Sequence, residues 1–164
     1  MNYTNLLNKF KQILNGSFLY KKEGAAAKKS HPERTFYEIF GKEAGLRLLI
    51  SNFYQKMEDD PLAKDCLMTH EPTEENKIPE SVREKLFMFL SGWLGGPNLF
   101  VEKLGAPKMM ARHSHIKIGS IHKNQWLYCM EHALNKHQPP LNDQDFGRII
   151  NSFMALAERI QNSE

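Results

Sequence analysis

Five side chains with nitrogen or sulfur donor atoms lie close together in the second half of the chain. They are His113, His115, His122, Cys129 and His132. Imidazole and thiolate groups are the ligands that zinc takes in proteins, so a metal site is one interpretation. A structural zinc site usually pairs its ligands at short spacing at both ends, and only Cys129 with His132 approaches that pattern. The spacing therefore argues against zinc.

Other common catalytic motifs are missing from the sequence. It contains no glycine-rich phosphate loop, no nucleophile elbow and no His-Glu-x-x-His helix. The chain is instead rich in aromatic residues and methionines, many of which recur at the spacing of one helix face. Facing apolar stripes of this kind suit a large, flat, apolar cofactor.

The long elements that must position these side chains are predicted to be helices. Apolar residues recur at steps of three and four from Leu46 to Met57, from Val82 to Trp93 and from Ile121 to Leu134. Glycine or proline follows each run, and Ser120 is a suitable N-cap for the third. Since no strand-like alternation bounded by a hairpin turn occurs, the predicted fold class is all-α.

Shorter elements complete the domain. The sequence predicts a brief apolar turn over 35–40, a short amphipathic piece over 99–104 and a last helix from about Asn142 to Ile160. A loop rich in proline and glutamate covers 70–81, and 105–119 is the least regular part. Breaks of varied length favour helices that cross at an angle over a regular up-and-down bundle.

Residues 1–32 have a different character and are interpreted as an N-terminal extension of a single domain at 33–164. Leu6, Leu7, Phe10, Ile13 and Leu14 repeat at helical spacing, and a polar, alanine-rich linker follows. We expect this short amphipathic helix to pack on the domain or on a partner subunit, because its apolar stripe is too short for a good membrane anchor.

Composition and charge argue against several classes of protein. The net charge of +3 is spread along the chain, which gives little support to nucleic-acid binding. Cys66 and Cys129 are too few for a disulfide framework, so a reducing cytoplasm is expected. No apolar run is long enough for a signal peptide core or a membrane span, so we expect neither secretion nor membrane insertion.

Two segments carry a family resemblance. The run KLFMFLSGWLGGPNLFVEKLGAPKMMARHSHIKIG, residues 85–119, is followed by HKNQWLYCMEHAL, residues 122–134. Together they resemble group II truncated hemoglobins, in which a helix ends in Gly-Gly-Pro, a Gly-x-Pro turn precedes an Arg-His pair, and a tryptophan follows in the next helix. The resemblance covers about 35–162 and implies a truncated globin, a two-over-two helical sandwich around one heme b.

The resemblance implies that His113 is the proximal ligand of the heme iron, with His115 as the local competitor. A neutral imidazole nitrogen can donate to iron while a hydrogen bond holds the other ring nitrogen. Relatives often carry Pro-Phe shortly after the axial histidine, whereas this chain has His115-Ile116. The packing beneath the heme is therefore expected to differ from theirs.

The distal side of the heme is assigned in the same way. Tyr54 matches the family's distal tyrosine, Trp126 its tryptophan, and His70 the corner that meets the heme, where a shifted alignment would place Leu67 instead. Tyr54, His70 and Trp126 are expected to donate hydrogen bonds to a polar diatomic ligand. The alternative is that the aromatic residues only fill the core.

Further heme contacts follow from the resemblance. Val82 and Leu86 correspond to the distal helix positions that face the ligand. Arg112, Lys108 and His115 are expected either to pair with the heme propionates or to be solvated surface charges. The other expected pocket residues are Phe53, Phe89, Trp93, Met109 and Ile118.

The implied function is binding of O2, and of CO or NO, at ferrous heme, for oxygen binding or transport or for detoxification of NO or peroxide. Turnover as an NO dioxygenase or peroxidase would need a separate reductase, because no flavin domain fits in this length. One alternative is a gas or redox sensor that signals to a partner through the N-terminal helix, and another is a helical scaffold without cofactor. A monomer or a homodimer is expected.

Overall fold

The computed structural model describes residues 34–164, so the predicted extension over 1–32 lies outside the described residues. Every regular element within 34–164 is helical, as predicted. A 3-10 turn at Pro61–Ala63 connects the second and third α-helices. The α-helices are α1 (Phe36–Ile39), α2 (Lys42–Asp59), α3 (Lys64–Met68), α4 (Glu80–Trp93), α5 (Leu99–Leu104), α6 (Met109–His113), α7 (Ser120–Asn135) and α8 (Asp143–Ile160).

Four long helices form two layers. Helix α2 packs on α4, α7 packs on α8, and the largest contact joins α2 to α7 across the layers. Each helix contributes fully buried side chains to the core between them, such as Phe53, Leu90, Met130 and Phe153. Burial of these apolar faces, more than intrinsic propensity, stabilises the helices. Along 34–164 no helix combines the length and the apolar character needed to cross a membrane.

The glycine-rich break after α4 brings the beginning of the described chain close to the end of that helix. Gly95 has a φ of +89°, and a Cβ there would lie 2.8 Å from a methyl group of Thr35. A side chain on Gly96 would collide with the ring of Tyr37, whose N–H donates to the carbonyl oxygen of Leu94 at 2.9 Å. Only glycine permits this close approach.

The predicted helix boundaries hold at α8 but not at α7. Helix α8 begins next to Asn142, as expected, and Asn142 is its N-cap, whose Oδ1 accepts the Asp145 N–H at 2.8 Å. Ser120 is not a cap: it is the first residue of α7, and Gly119 occupies the N-cap position. A Cβ on Gly119 would lie 2.6 Å from the carbonyl oxygen of Glu164, which explains the glycine.

One further prediction is refined and another is wrong. The segment predicted to be the least regular, residues 105–119, contains one short helix, α6, which begins after Lys108; the backbone of Lys108 has the left-handed conformation. On α4, Trp93 was assigned to the buried face, but it is 37% exposed, while Phe87 and Met88 are buried. Helix α4 contacts both α2 and α5, so its buried face is wider than the periodicity of one apolar stripe indicates.

Candidate functional site

A cavity of about 580 Å³ lies among α2, α4, α6, α7, α8 and the corner after α3. This volume is within the range of small-molecule and cofactor sites. Most of the residues predicted for the site lie on its wall. These are Tyr54, His70, Val82, Leu86, Phe89, Met109, Arg112, His113, His115, Ile118 and Trp126.

The structure corrects the prediction for Phe53 and Trp93, neither of which lines the cavity. Phe53 is fully buried behind the wall, with its ring centroid 4.8 Å from that of Tyr54 and 5.2 Å from that of Trp126. It therefore supports two wall residues. Trp93 stacks on the far side of Phe89 and borders a separate, smaller pocket.

His113 is the last residue of α6, and its ring is oriented by the backbone of its own helix. Its Nδ1 lies 2.7 Å from the carbonyl oxygen of Met109. Because a carbonyl oxygen only accepts, Nδ1 carries the proton of the neutral imidazole and Nε2 keeps a free lone pair. Histidines that ligate metals typically have this arrangement. His115 is exposed at the cavity and has no comparable orienting bond among residues 34–164.

His70 has the same tautomer for the same reason. Its Nδ1 lies 2.8 Å from the carbonyl oxygen of Cys66, so Nδ1 donates and the unpaired Nε2 is an acceptor. Burial lowers the pKa of His70, which favours this neutral form. In this neutral form Nε2 would accept a hydrogen bond and not donate one to a ligand. Leu67 is buried in the core and does not line the cavity.

Tyr54 and Trp126 contribute hydrogen-bond donors to the cavity wall. Within residues 34–164 neither the Tyr54 hydroxyl nor the Trp126 indole N–H has a hydrogen-bond partner, and no polar side-chain atom in that part of the chain is both buried and unpaired. The two donors therefore keep accessible surface at the cavity. Burial raises the pKa of Tyr54, so its phenol stays protonated.

Near Tyr54, the Glu58 side chain connects α2 to α4 through an ion pair and to the 70–81 loop through a hydrogen bond. Glu58 accepts hydrogen bonds from the Arg83 guanidinium and, at 2.8 Å, from the Ile78 N–H. The Arg83 guanidinium carbon lies 5.2 Å from the centre of the Tyr54 ring. Its positive charge over the aromatic face is favourable. Glu58 therefore restrains the loop and Tyr54 together.

Basic side chains surround part of the cavity, and several were not predicted. Lys85, His122 and Lys123 join Arg112 and His115 on the wall. The sequence contained a signal for two of them: His122 and Lys123 precede Trp126 by about one helical turn, so they share the helix face of Trp126.

Two of these basic residues are held by backbone groups. The Arg112 guanidinium donates to the carbonyl oxygens of Pro107 at 2.8 Å and of Leu104 at 3.3 Å, so part of it is already paired. His122 Nδ1 accepts the Gly119 N–H at 3.1 Å, which leaves Nε2 as its donor. Lys108 does not line the cavity.

A family model for bacterial-like globins matches residues 35–162. The chain belongs to this globin family. The group 2 truncated hemoglobin YjbI of Bacillus subtilis strain 168 is 33% identical to it over 99 residues, which are 60% of this chain and 68% of the relative.

Solved structures agree with this assignment. The cold-adapted truncated hemoglobin of Pseudoalteromonas haloplanktis TAC125 is 37% identical, with a TM-score of 0.71 over 80% of this globin and 100% of that chain. The group II 2-on-2 hemoglobin of Agrobacterium tumefaciens is 32% identical, with a TM-score of 0.72 over 82% and 99%. The protein is thus a globin of the group II truncated hemoglobin family, and its predicted two-over-two fold is confirmed.

Membership in the globin family implies that the protein binds heme. The cavity residues fit this group: Leu86, Phe89 and Met109 supply apolar walls, His113 supplies an imidazole lone pair, and the basic side chains suit carboxylates. Among residues 34–164, no three His, Cys, Asp or Glu side chains lie close enough to hold a metal ion by themselves.

Proposed function

We propose that this globin binds heme b with His113 as the axial ligand and holds O2, or CO or NO, beside Tyr54 and Trp126. The single observation that carries the proposal is the 2.7 Å hydrogen bond between His113 Nδ1 and the Met109 carbonyl oxygen, in a residue that lines a cavity of cofactor size. That bond leaves the Nε2 lone pair available as a ligand. Heme supplies the iron at which a diatomic gas binds.

The two unpaired donors favour bound O2 relative to bound CO. A phenol O–H and an indole N–H stabilise a diatomic ligand more strongly when the bound ligand carries more negative charge. Bound O2 acquires more negative charge than bound CO does. Val82 and Leu86 are apolar and exclude water from the same space, which strengthens these hydrogen bonds. Slow release of O2 is the expected consequence.

The basic side chains provide further support for a heme, because this cofactor carries two propionate carboxylates. Lys85 and Lys123 offer ammonium groups at the cavity, and His122 offers its Nε2–H. Charge-assisted hydrogen bonds to carboxylates are stronger than neutral ones. These three residues replace Lys108 as our candidates for propionate contacts.

Gas binding is the primary activity in this proposal. Oxidation of NO or turnover of peroxide would need electrons from a separate reductase. Cys66 and Cys129 are both buried free thiols, which suits a reducing cytoplasm.

The test is the visible absorption spectrum of the hemin-treated protein, first ferric and then reduced under CO. We expect a Soret band that shifts to a carbonyl-heme spectrum in the wild type and in His115→Ala, the matched control. His113→Gly should lose this spectrum and regain it when free imidazole is added, which separates loss of the ligand from loss of the fold. A wild type without a Soret band, or a His113→Gly variant with the wild-type spectrum, would refute the proposal.

A further inference from the structure

The chain that follows His113 has little regular structure of its own. Helix α6 has five residues, and residues 114–119 form no helix before α7 begins. Local backbone hydrogen bonds are few. The Ser114 N–H lies 3.4 Å from the Ala111 carbonyl oxygen, and the Ile116 N–H donates to the His113 carbonyl oxygen at 3.1 Å. Any further restraint on this segment must therefore come from residues elsewhere in the fold.

The side chain of Asn162, just beyond the end of α8, supplies three of those partners. Its Nδ2 donates to the carbonyl oxygens of His113 at 3.1 Å and of Ile116 at 2.9 Å. Its Oδ1 accepts the Ile118 N–H at 2.9 Å. One amide group thus uses both its donor and its acceptor atoms on the segment that begins at His113.

Neighbouring backbone groups further align the segment 113–119 with the segment 161–164. The N–H groups of Asn162 and Ser163 both donate to the Ile118 carbonyl oxygen, at 3.0 and 3.2 Å. Gln161 Nε2 donates to the Ser163 carbonyl oxygen at 3.0 Å, which holds the turn that presents Asn162. Gly119 also approaches Glu164 closely where these two segments meet.

We propose that Asn162 is a positioning residue for the axial histidine, an inference that rests on the proposed heme-binding function. The His113 ring is restrained from within α6 by the Met109 carbonyl oxygen, and the His113 backbone is restrained by Asn162. Together these bonds determine where Nε2 lies relative to the heme iron. Groups that hydrogen-bond to a metal-ligating histidine control its orientation and hence its affinity for the metal.

The decisive variant is Asn162→Asp. It preserves size and the acceptor for Ile118, but it replaces the donor Nδ2 by an oxygen that faces two carbonyl oxygens. Asn135→Asp is the matched control, because Asn135 Nδ2 also donates to a backbone carbonyl oxygen, that of Glu131 at 3.0 Å, away from the cavity. Asn162 and Asn135 are both exposed, so both proteins should fold, and far-UV circular dichroism checks this.

Two measurements on the hemin-loaded protein report on His113. The first is the iron–histidine stretching band in the resonance Raman spectrum of the ferrous form, which should shift in Asn162→Asp. The second is the rate of hemin transfer to excess apomyoglobin, which should increase on the order of tenfold. Asn135→Asp should match the wild type in both.

A third measurement needs no heme. Asn162→Ala removes the acceptor for Ile118, so the Ile118 amide should exchange with deuterium faster than in the wild type. If both Asn162 variants kept the wild-type Raman band and hemin transfer rate, the positioning role would be overturned while the proposed function stood. A wild type that bound no hemin through His113 would contradict both.

Discussion

The side-chain carbonyl oxygen of Gln125 accepts the backbone N–H of Cys66 at 2.7 Å, across the interface between α7 and α3. Gln125 is buried, and its Nε2 also donates to the Asp65 carboxylate at 2.7 Å. Cys66 in turn accepts the hydrogen bond that orients His70. Helix α7 therefore carries Trp126 directly and, through Gln125, restrains the segment that ends at His70.

Loss of this connection should destabilise the protein. Gln125→Leu leaves the Cys66 N–H without its partner, and we expect the free energy of unfolding in urea to fall by about 2 kcal/mol. Gln55→Leu makes the same change at an exposed position of α2 and should alter it by less than about 0.5 kcal/mol. Equal effects of the two substitutions would show that the Gln125 bonds contribute little.

The two unpaired donors should control the release of O2. Tyr54→Phe and Trp126→Phe each remove one donor worth about 1 kcal/mol, so each should speed O2 dissociation roughly fivefold in stopped-flow experiments, with a smaller effect on CO. Trp93→Phe is the control, since Trp93 lies outside the cavity. An O2 dissociation rate that is unchanged in both cavity variants would exclude hydrogen bonding to the ligand.

Glu58 should contribute more to stability than its neighbour. Its side chain is 5% exposed and bonds Arg83 and Ile78, whereas Asp59 is 58% exposed and pairs with Lys77 at 3.7 Å. Glu58→Gln should lower the free energy of unfolding by about 2 kcal/mol, because the partly buried Arg83 loses its counter-charge. Asp59→Asn should change it by under about 0.5 kcal/mol. Comparable losses in urea titrations would argue against a restraining role for Glu58.

His70 should make stability depend on pH. Burial lowers its pKa in the folded protein below the ordinary value of 6.5, so the unfolded chain binds the proton more readily. Stability is therefore lost as the pH falls below 6.5 and towards the folded pKa. Between about pH 7.5 and about pH 5.5, the free energy of unfolding of the hemin-free wild type should fall more than that of His70→Phe. Other groups affect both proteins alike, so parallel pH curves would contradict this prediction.

Helix positions and the family were predictable from the sequence, because they depend on short-range patterns. The periodicity around Phe53 identifies the buried face of α2, and the periodicity around Leu90 identifies part of the buried face of α4. Glycine and proline mark the ends of these helices. The order of motifs from the Gly-Gly-Pro break to Trp126 carries the family resemblance. With the resemblance, His113 and most of the cavity wall could be named.

Other features depended on contacts that no local pattern records. The burial of Phe87 and Met88 beside a partly exposed Trp93 depends on how α4 packs against α2 and α5, and the short helix α6 has too few residues for a periodic signal. In the sequence, Lys85 and Lys123 resemble ordinary surface charges, and only the folded structure places them on the cavity wall. For Trp93, Lys85 and Lys123, the packing of neighbouring elements decides the environment of the side chain, and the sequence of the element itself does not.

By itself, the sequence determined an all-α fold from residue type and spacing, and its resemblance to group II truncated hemoglobins supplied the family and the histidine proposed to bind iron. Only the tertiary structure decided that His70 accepts where a donor was expected, because its tautomer depends on which backbone oxygen its Nδ1 meets. It also decided which residue supports His113: Asn162 is 49 positions away along the chain. A hydrogen bond between such distant residues exists only once the packed helices bring them together.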